Sequence, residues 1–153
     1  MLGQQTPGLL DKCCHRCCIM TRRKSWATRR ERGKLRILVV DAEKETRDDL
    51  AAKLGRRFPG SSIVSFGNSL EVLKFTANNK FDLLFTDVRI QPFDGYEMIR
   101  ILRQQNQLFC TYVVSGTKNK PDDLRWMDVN GCFAKPVTEN ELAQVENALV
   151  YPE

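Results

Sequence analysis

A chain of 153 residues has room for one ordinary domain with a hydrophobic core plus an extension, and hardly for two domains. Hydrophobic residues make up 42% and charged residues 28%, the balance of a soluble globular protein, and no stretch approaches the roughly 20 apolar residues that a membrane span requires. The net charge of +5 is unevenly spread: residues 1–34 carry nine Lys/Arg against Asp11 and Glu31, whereas the remainder carries 15 Lys/Arg against 17 Asp/Glu.

Near the N-terminus, Lys12, His15, Arg16 and Arg22 interrupt every short apolar run, so no secretory signal is recognisable and a cytoplasmic location is expected. The cluster Cys13-Cys14-His15-Arg16-Cys17-Cys18 invites a zinc reading, but adjacent ligands make a poor tetrahedron and no second pair follows. Arg22-Arg23-Lys24, then Arg29, Arg30, Arg32 and Lys34 around Trp26, offer charge and stacking to a phosphate backbone. Nucleic-acid binding is nevertheless disfavoured. The simpler expectation is a basic, Cys-containing, disordered extension over residues 1–33, or a translation start at Met20 or later. Cys110 and Cys132 fall within apolar runs and are expected as reduced, buried thiols.

From Leu35 onward, short apolar runs alternate with segments of helical period, the sequence form of repeated strand-helix units around a parallel sheet. Strands are expected at Leu35 to Val40, Ser62 to Phe66, Phe81 to Thr86, Phe109 to Val114 and Gly131 to Ala134, near-continuously apolar as strands covered on both faces must be. The first helix, from about Glu45, places Leu50, Leu54 and Phe58 on one face before Pro59-Gly60 ends it. A second opens with Asn68 and Glu71 at capping-box spacing and is expected to bury Leu70, Leu73 and Ala77. A third, after Gly95, offers Met98, Ile99 and Leu102. A fourth begins near Pro121 with Leu124 and Met127 inward, and Trp126 is read as packing rather than docking. Thr138 and Glu141 form another capping box ahead of Leu142, Val145 and Leu149. Five such pairs with right-handed crossovers predict an α/β, doubly wound, flavodoxin-like (βα)5 sheet in the order 2-1-3-4-5, whose functional crevice lies at the carboxyl ends of the strands.

Those ends carry chemistry. Asp41 closes the first strand, Asp87 the third, Ser115 the fourth, and Lys135-Pro136 the fifth. If phosphate is the ligand, one carboxylate serves as nucleophile and another holds magnesium, while a hydroxyl donates to a phosphoryl oxygen and an ammonium neutralises it. Taken singly, each has a bland alternative: Asp41 as a helix cap, Asp87 as a solvated strand end, Lys135-Pro136 as a strand terminator. A dinucleotide-dependent enzyme is disfavoured, because the first strand-to-helix turn, Asp41-Ala42-Glu43-Lys44, has no glycine fingerprint.

The run Ile37-Leu38-Val39-Val40-Asp41, Asp87 followed eight residues later by Gly95 in Asp94-Gly95, Ser115-Gly116 and Lys135-Pro136 occur in that order. Together they resemble the response-regulator receiver domains of two-component signalling, the CheY-like family, over essentially residues 35 to 150, with a domain expected over 34–153. The resemblance implies that Asp87 accepts a phosphoryl group from a sensor histidine kinase, a phosphotransfer protein or a small phosphodonor. It implies that Asp41, Asp87 and the Arg89 backbone carbonyl hold Mg2+, that Lys135 pairs with Asp87 or its phosphate, and that Ser115 is the switch hydroxyl, with Gly116 leaving its approach open. Arg89 and Thr117 stand where receivers tune dephosphorylation.

Three departures accompany the match. Ala42 stands where receivers usually carry a second acidic residue that ligates magnesium directly, which puts the metal affinity in question. Cys132, a weaker switch position, stands where many receivers have an aromatic residue that swings inward as the switch hydroxyl moves. The proline of Gln91-Pro92 comes one position later than usual.

The expected function is a stand-alone receiver, a signalling domain rather than an enzyme beyond self-catalysed phosphoryl transfer and dephosphorylation. The chain ends just after the fifth helix, so the signal is expected to pass by protein contacts to a downstream target, with a homodimer across the fourth-helix to fifth-helix face as a further partner. The alternative is a pseudo-receiver, left unphosphorylated by Ala42 and acting as a docking module.

Overall fold

The computed structural model describes residues 35–105, 109–116 and 129–150. Strands β1 (Arg36–Val40), β2 (Ser62–Phe66), β3 (Leu83–Asp87), β4 (Cys110–Ser115) and β5 (Gly131–Ala134) form one parallel sheet in the order β2-β1-β3-β4-β5. The described helices are α1 (Lys44–Arg57), α2 (Ser69–Thr76), α3 (Gly95–Gln104) and α4 (Glu139–Val150). Here α4 is the fifth helix of the sequence pattern. The expected helix from Pro121, with Leu124, Trp126 and Met127, lies outside the described residues, as do Thr117 and the cysteine-rich, basic segment before Leu35.

Side chains alternate across a strand, so each central strand feeds two cores. On one face Ile37, Val39, Phe85 and Tyr112 meet Leu50 and Leu54 of α1 and Leu142 and Val145 of α4. On the other, Leu38, Val40, Leu84 and Val113 meet Val72 of α2 and Met98, Ile99 and Leu102 of α3. Helices therefore cover both faces, the doubly wound arrangement expected from the pattern. Phe85, Tyr112 and Phe133 stack in a row across β3, β4 and β5, with neighbouring ring centroids 5.4 Å apart, and lock the register of the strands whose ends carry the site.

The strand bounds shift slightly. Phe81 and Phe109 are buried but precede their strands, and β3 and β4 each run one residue further than expected, through Asp87 and Ser115. Of the two framework cysteines Cys110 is buried and Cys132 only half-buried; neither is in a disulfide.

The face of α2 differs from expectation. Val72 is buried together with Ser69 and Thr76, whereas Leu70 is 43% exposed, Leu73 is half-buried and Ala77 is exposed beyond the helix end. The reason lies at the first turn. The Ser69 amide donates to the Gln91 carbonyl at 2.9 Å, and the Ser69 hydroxyl accepts from the Phe93 amide at 2.9 Å. Ser69 is thereby turned toward the sheet, and the positions three and seven residues on, Val72 and Thr76, follow it inward. Of the two expected capping boxes, the one at Thr138 forms in full, and at Asn68 only the N-cap half forms. Asn68 accepts from the Glu71 amide at 2.9 Å, and Thr138 and Glu141 exchange bonds, each amide donating to the other's side chain.

Candidate functional site

β1 and β3 are adjacent in the sheet, so Asp41 and Asp87 emerge side by side at its carboxyl edge. Both are nearly buried. The loop after β5, two strands away, brings Lys135 back to them: its Nζ stands 2.8 Å from Asp41 Oδ2 and 2.8 Å from Asp87 Oδ2. The remaining carboxylate oxygens are held by backbone amides. Glu43 donates to Asp41 Oδ1 at 2.9 Å, and Arg89 donates to Asp87 Oδ1 at 3.2 Å. Sequence order put these residues at strand ends; the structure joins them into one ion-paired triad.

The supporting backbone is equally specific. The Asp41 amide donates to the Phe66 carbonyl at 3.1 Å, which fixes the end of β1 against β2. The fully buried Thr86 hydroxyl donates to the Asp87 carbonyl at 3.0 Å. Gly95 is required by close approach: a Cβ there would stand 2.5 Å from the Asp87 carbonyl oxygen and 3.1 Å from Val88 Cα. The spacing from Asp87 to Gly95 thus has a steric meaning, since the first turn of α3 lies against the backbone of Asp87. In this conformation a Cβ on Gly116 would meet no atom of the described residues within 4 Å.

Ser115 ends β4 half-buried, beside the triad, and its carbonyl accepts from the Lys135 amide at 2.8 Å. Cys132 is further back along β5, opposite Val113, packed against the α2/α3 core rather than placed at the strand end. Arg89, Ala42 and Glu43 are exposed on the loops over the site. Three contributors were not legible in the sequence: Thr86 as a donor to Asp87, and Arg47 and Lys53 of α1. Arg47 Nη1 donates to the Asp41 carbonyl at 2.7 Å, and Lys53 Nζ donates to the Val137 carbonyl at 2.9 Å. The one signal for them was a cation on the first helix within two or three turns of Asp41.

Burial works to lower the pKa of Lys135, but its hydrogen bonds to Asp41 and Asp87, with their Coulombic attraction, outweigh that effect and raise it above the ordinary lysine value. A pKa raised on folding adds stability below the unfolded value, and that stability is lost as pH climbs through the folded one. The stability difference between wild type and Lys135→Met is accordingly expected to stay constant from about pH 8 to 10 and to shrink above about pH 10.5. Urea unfolding of both proteins across that range checks it. A difference that shrinks below pH 9 contradicts the assignment.

Comparison with known proteins agrees with this fold. The family pattern described as the response regulator receiver domain matches residues 37–146. The response regulator MprA of Mycobacterium sp. (strain KMS) is 29% identical over 118 residues, covering 76% of this chain and 50% of MprA. The sensor histidine kinase RcsC of Salmonella typhi is 27% identical over 110 residues, 71% of this chain but 11% of the kinase. The chain thus spans half the length of its MprA relatives. Among solved structures, the response regulator TrrA of Thermotoga maritima, in complex with Mg2+ and BeF, superposes with a TM-score of 0.67 at 24% identity, covering 75% of this chain and 98% of that one. The chemotaxis response regulator CheY4 of Vibrio cholerae gives 0.66 at 18% identity, covering 76% and 98%. No helix among the described residues is long and apolar enough to cross a membrane. With the sheet order, the strand-end triad and a pattern match across most of its length, the chain belongs to the response-regulator receiver family of two-component signalling.

Proposed function

We propose that this receiver accepts a phosphoryl group on Asp87 and passes the signal on through protein contacts. The observation that carries the reading is the single ammonium of Lys135 held 2.8 Å from both Asp41 and Asp87 at the open edge of the sheet. In the reaction an Asp87 carboxylate oxygen forms the new bond to phosphorus. The donor's P–N bond, for a phosphohistidine, or P–O bond, for an acyl phosphate, breaks with its electron pair leaving on the imidazole or carboxylate. Lys135 neutralises charge on the transferred group, and the Ser115 hydroxyl, at the neighbouring strand end, donates to a phosphoryl oxygen once it is in place. The donor is a sensor histidine kinase, a phosphotransfer protein or a small phosphodonor. A cytoplasmic setting, a downstream protein target and a dimer across the fourth and fifth helices belong to the same reading, as does a domain beginning near residue 34.

Magnesium fits this donor set weakly alone and better in company with a phosphoryl group. Among the described residues no group of three or more His, Cys, Asp or Glu is arranged to hold a metal ion. Asp41 and Asp87 together with Lys135 leave a formal charge of −1, too little to compensate a divalent cation. The incoming phosphoryl oxygens supply the missing negative charge, and magnesium commonly binds through one or two carboxylates plus phosphate and water. The residues to hold it are Asp41, Asp87 and the Arg89 carbonyl. Held there, magnesium would supply charge withdrawal from the phosphoryl oxygens.

Exposed Ala42, in place of a carboxylate, also favours a second reading, an unphosphorylated docking module. Incubation with acetyl phosphate, with and without magnesium, followed by intact mass measurement separates the two. Wild type is expected to gain one phosphoryl group in a magnesium-dependent manner, and Asp87→Asn none. A wild type that stays unmodified at high magnesium, also when its phosphorylated kinase is supplied, excludes the phosphoacceptor reading in favour of the docking module.

A further inference from the structure

Two cations of α1 reach carbonyl oxygens of the loops that carry the site. Arg47 Nη1 is 2.7 Å from the Asp41 oxygen, and Gly67 leaves its guanidinium room, since a Cβ there would come within 3.3 Å of the same nitrogen. Six residues on, Lys53 Nζ is 2.9 Å from the Val137 oxygen and 3.0 Å from Asp49 Oδ2, with its side chain only 19% exposed. Val137 lies two residues beyond Lys135. One helix therefore grips the loop after β1 and the loop after β5, whose side chains meet at 2.8 Å between Asp41 and Lys135. α1 is a firm base for this, because Leu50, between the two cations, and Leu54 are buried against the sheet. Arg47 also lines, with Asp41, Asp87 and Lys135, the cleft that runs beneath the site.

We propose that Arg47 and Lys53 are positioning residues for the phosphoacceptor site, with separable roles. Arg47 holds the backbone of Asp41 and so sets how well that carboxylate meets a metal ion. Lys53 holds the loop after β5 and so sets how closely the Lys135 ammonium follows the transferred phosphoryl group. The roles separate because Asp41 is a candidate metal ligand and Lys135, a cation, is not. Outer residues that orient metal ligands commonly alter affinity or activity by about 10–100-fold, and displacement of a catalytic group by about 1 Å costs rates of similar size. The inference rests on the reading of Asp87 as phosphoacceptor.

The test uses the full chain with Arg47→Met and Lys53→Met, which retain the apolar stem and remove the donor, beside the conservative Arg47→Lys and Lys53→Arg. Magnesium is titrated without any phosphodonor while the amide resonances of Glu43 and Arg89 are followed, because these N–H groups donate to Asp41 and Asp87. Phosphorylation by acetyl phosphate is then timed by intact mass across magnesium concentrations, and a melting curve is recorded for each protein. Arg47→Met is expected to raise the magnesium midpoint about tenfold with the rate at saturating metal nearly unchanged. Lys53→Met is expected to leave the midpoint unchanged and to lower the saturated rate about tenfold, and the conservative variants are expected to recover most of each loss. Variants that melt earlier yet keep wild-type midpoint and rate, or that lose both in parallel with stability, would show purely structural contacts and overturn the proposal. A wild type that cannot be phosphorylated at all overturns the phosphoacceptor reading itself, and with it this inference, whatever the variants do.

Discussion

Lys135→Met is expected to slow phosphorylation of Asp87 by about 10²- to 10³-fold, the usual consequence of removing one preorganised donor from a developing oxyanion. In the native site the ammonium contacts both carboxylates at 2.8 Å. Without it, Asp41 and Asp87 face each other with no side-chain cation of the described residues between them, and an incoming phosphoryl group meets uncompensated like charge. The fold itself is expected to survive, since the two cores on either face of the sheet do not involve Lys135. Timed intact-mass measurements with acetyl phosphate at saturating magnesium, beside a circular dichroism spectrum, check this. A folded variant phosphorylated within about threefold of wild type would remove Lys135 from the transfer step.

The second large effect comes from a residue with no side chain. Gly95→Ala is expected to destabilise the domain by about 2–3 kcal/mol, as overpacking against backbone does, and to slow phosphorylation as well. The added Cβ would come 2.5 Å from the Asp87 carbonyl oxygen, which the Thr86 hydroxyl already holds at 3.0 Å. Relief requires moving either the start of α3 or the phosphoacceptor. Alanine is the better helix former by up to about 1 kcal/mol, so the clash has to exceed that gain for the sign to hold. Gly116→Ala is the control: its Cβ meets no atom of the described residues within 4 Å, and a change within about 0.5 kcal/mol is expected. Urea unfolding of both variants decides the matter, and a Gly95→Ala protein as stable as wild type would mean that the contact between α3 and Asp87 relaxes freely.

Receiver folds are legible from sequence when apolar runs and helical periods alternate cleanly, as they do from Ile37 to Leu149. Right-handed crossovers between five parallel strands predicted a doubly wound sheet, and 2-1-3-4-5 is one of the common orders for it. The site residues were legible for a related reason: strand ends in this topology share one edge, so Asp41, Asp87, Ser115 and Lys135 had to be neighbours once the strands were placed. The face of α2 was not legible. Leu70 satisfied the helical pattern, but two hydrogen bonds between Ser69 and the loop after β3, one donated by the Ser69 amide and one accepted by its hydroxyl, turned the helix and left that leucine outside.

The sequence by itself determined the parallel sheet, the two-sided core and the edge where the chemistry gathers, because apolar periodicity is local to the chain and strand ends in such a sheet share one edge. The resemblance to receivers, rather than the sequence alone, marked Ala42 as standing where a second carboxylate is usual. Only the tertiary structure decided how that edge is held: which carboxylate oxygens the Lys135 ammonium bridges, why residue 95 has to be glycine, and that Arg47 and Lys53 grip the loops bearing Asp41 and Lys135. These contacts join residues 6 to 94 positions apart. Their distances are set by packed helices and paired strands, and no local pattern records them.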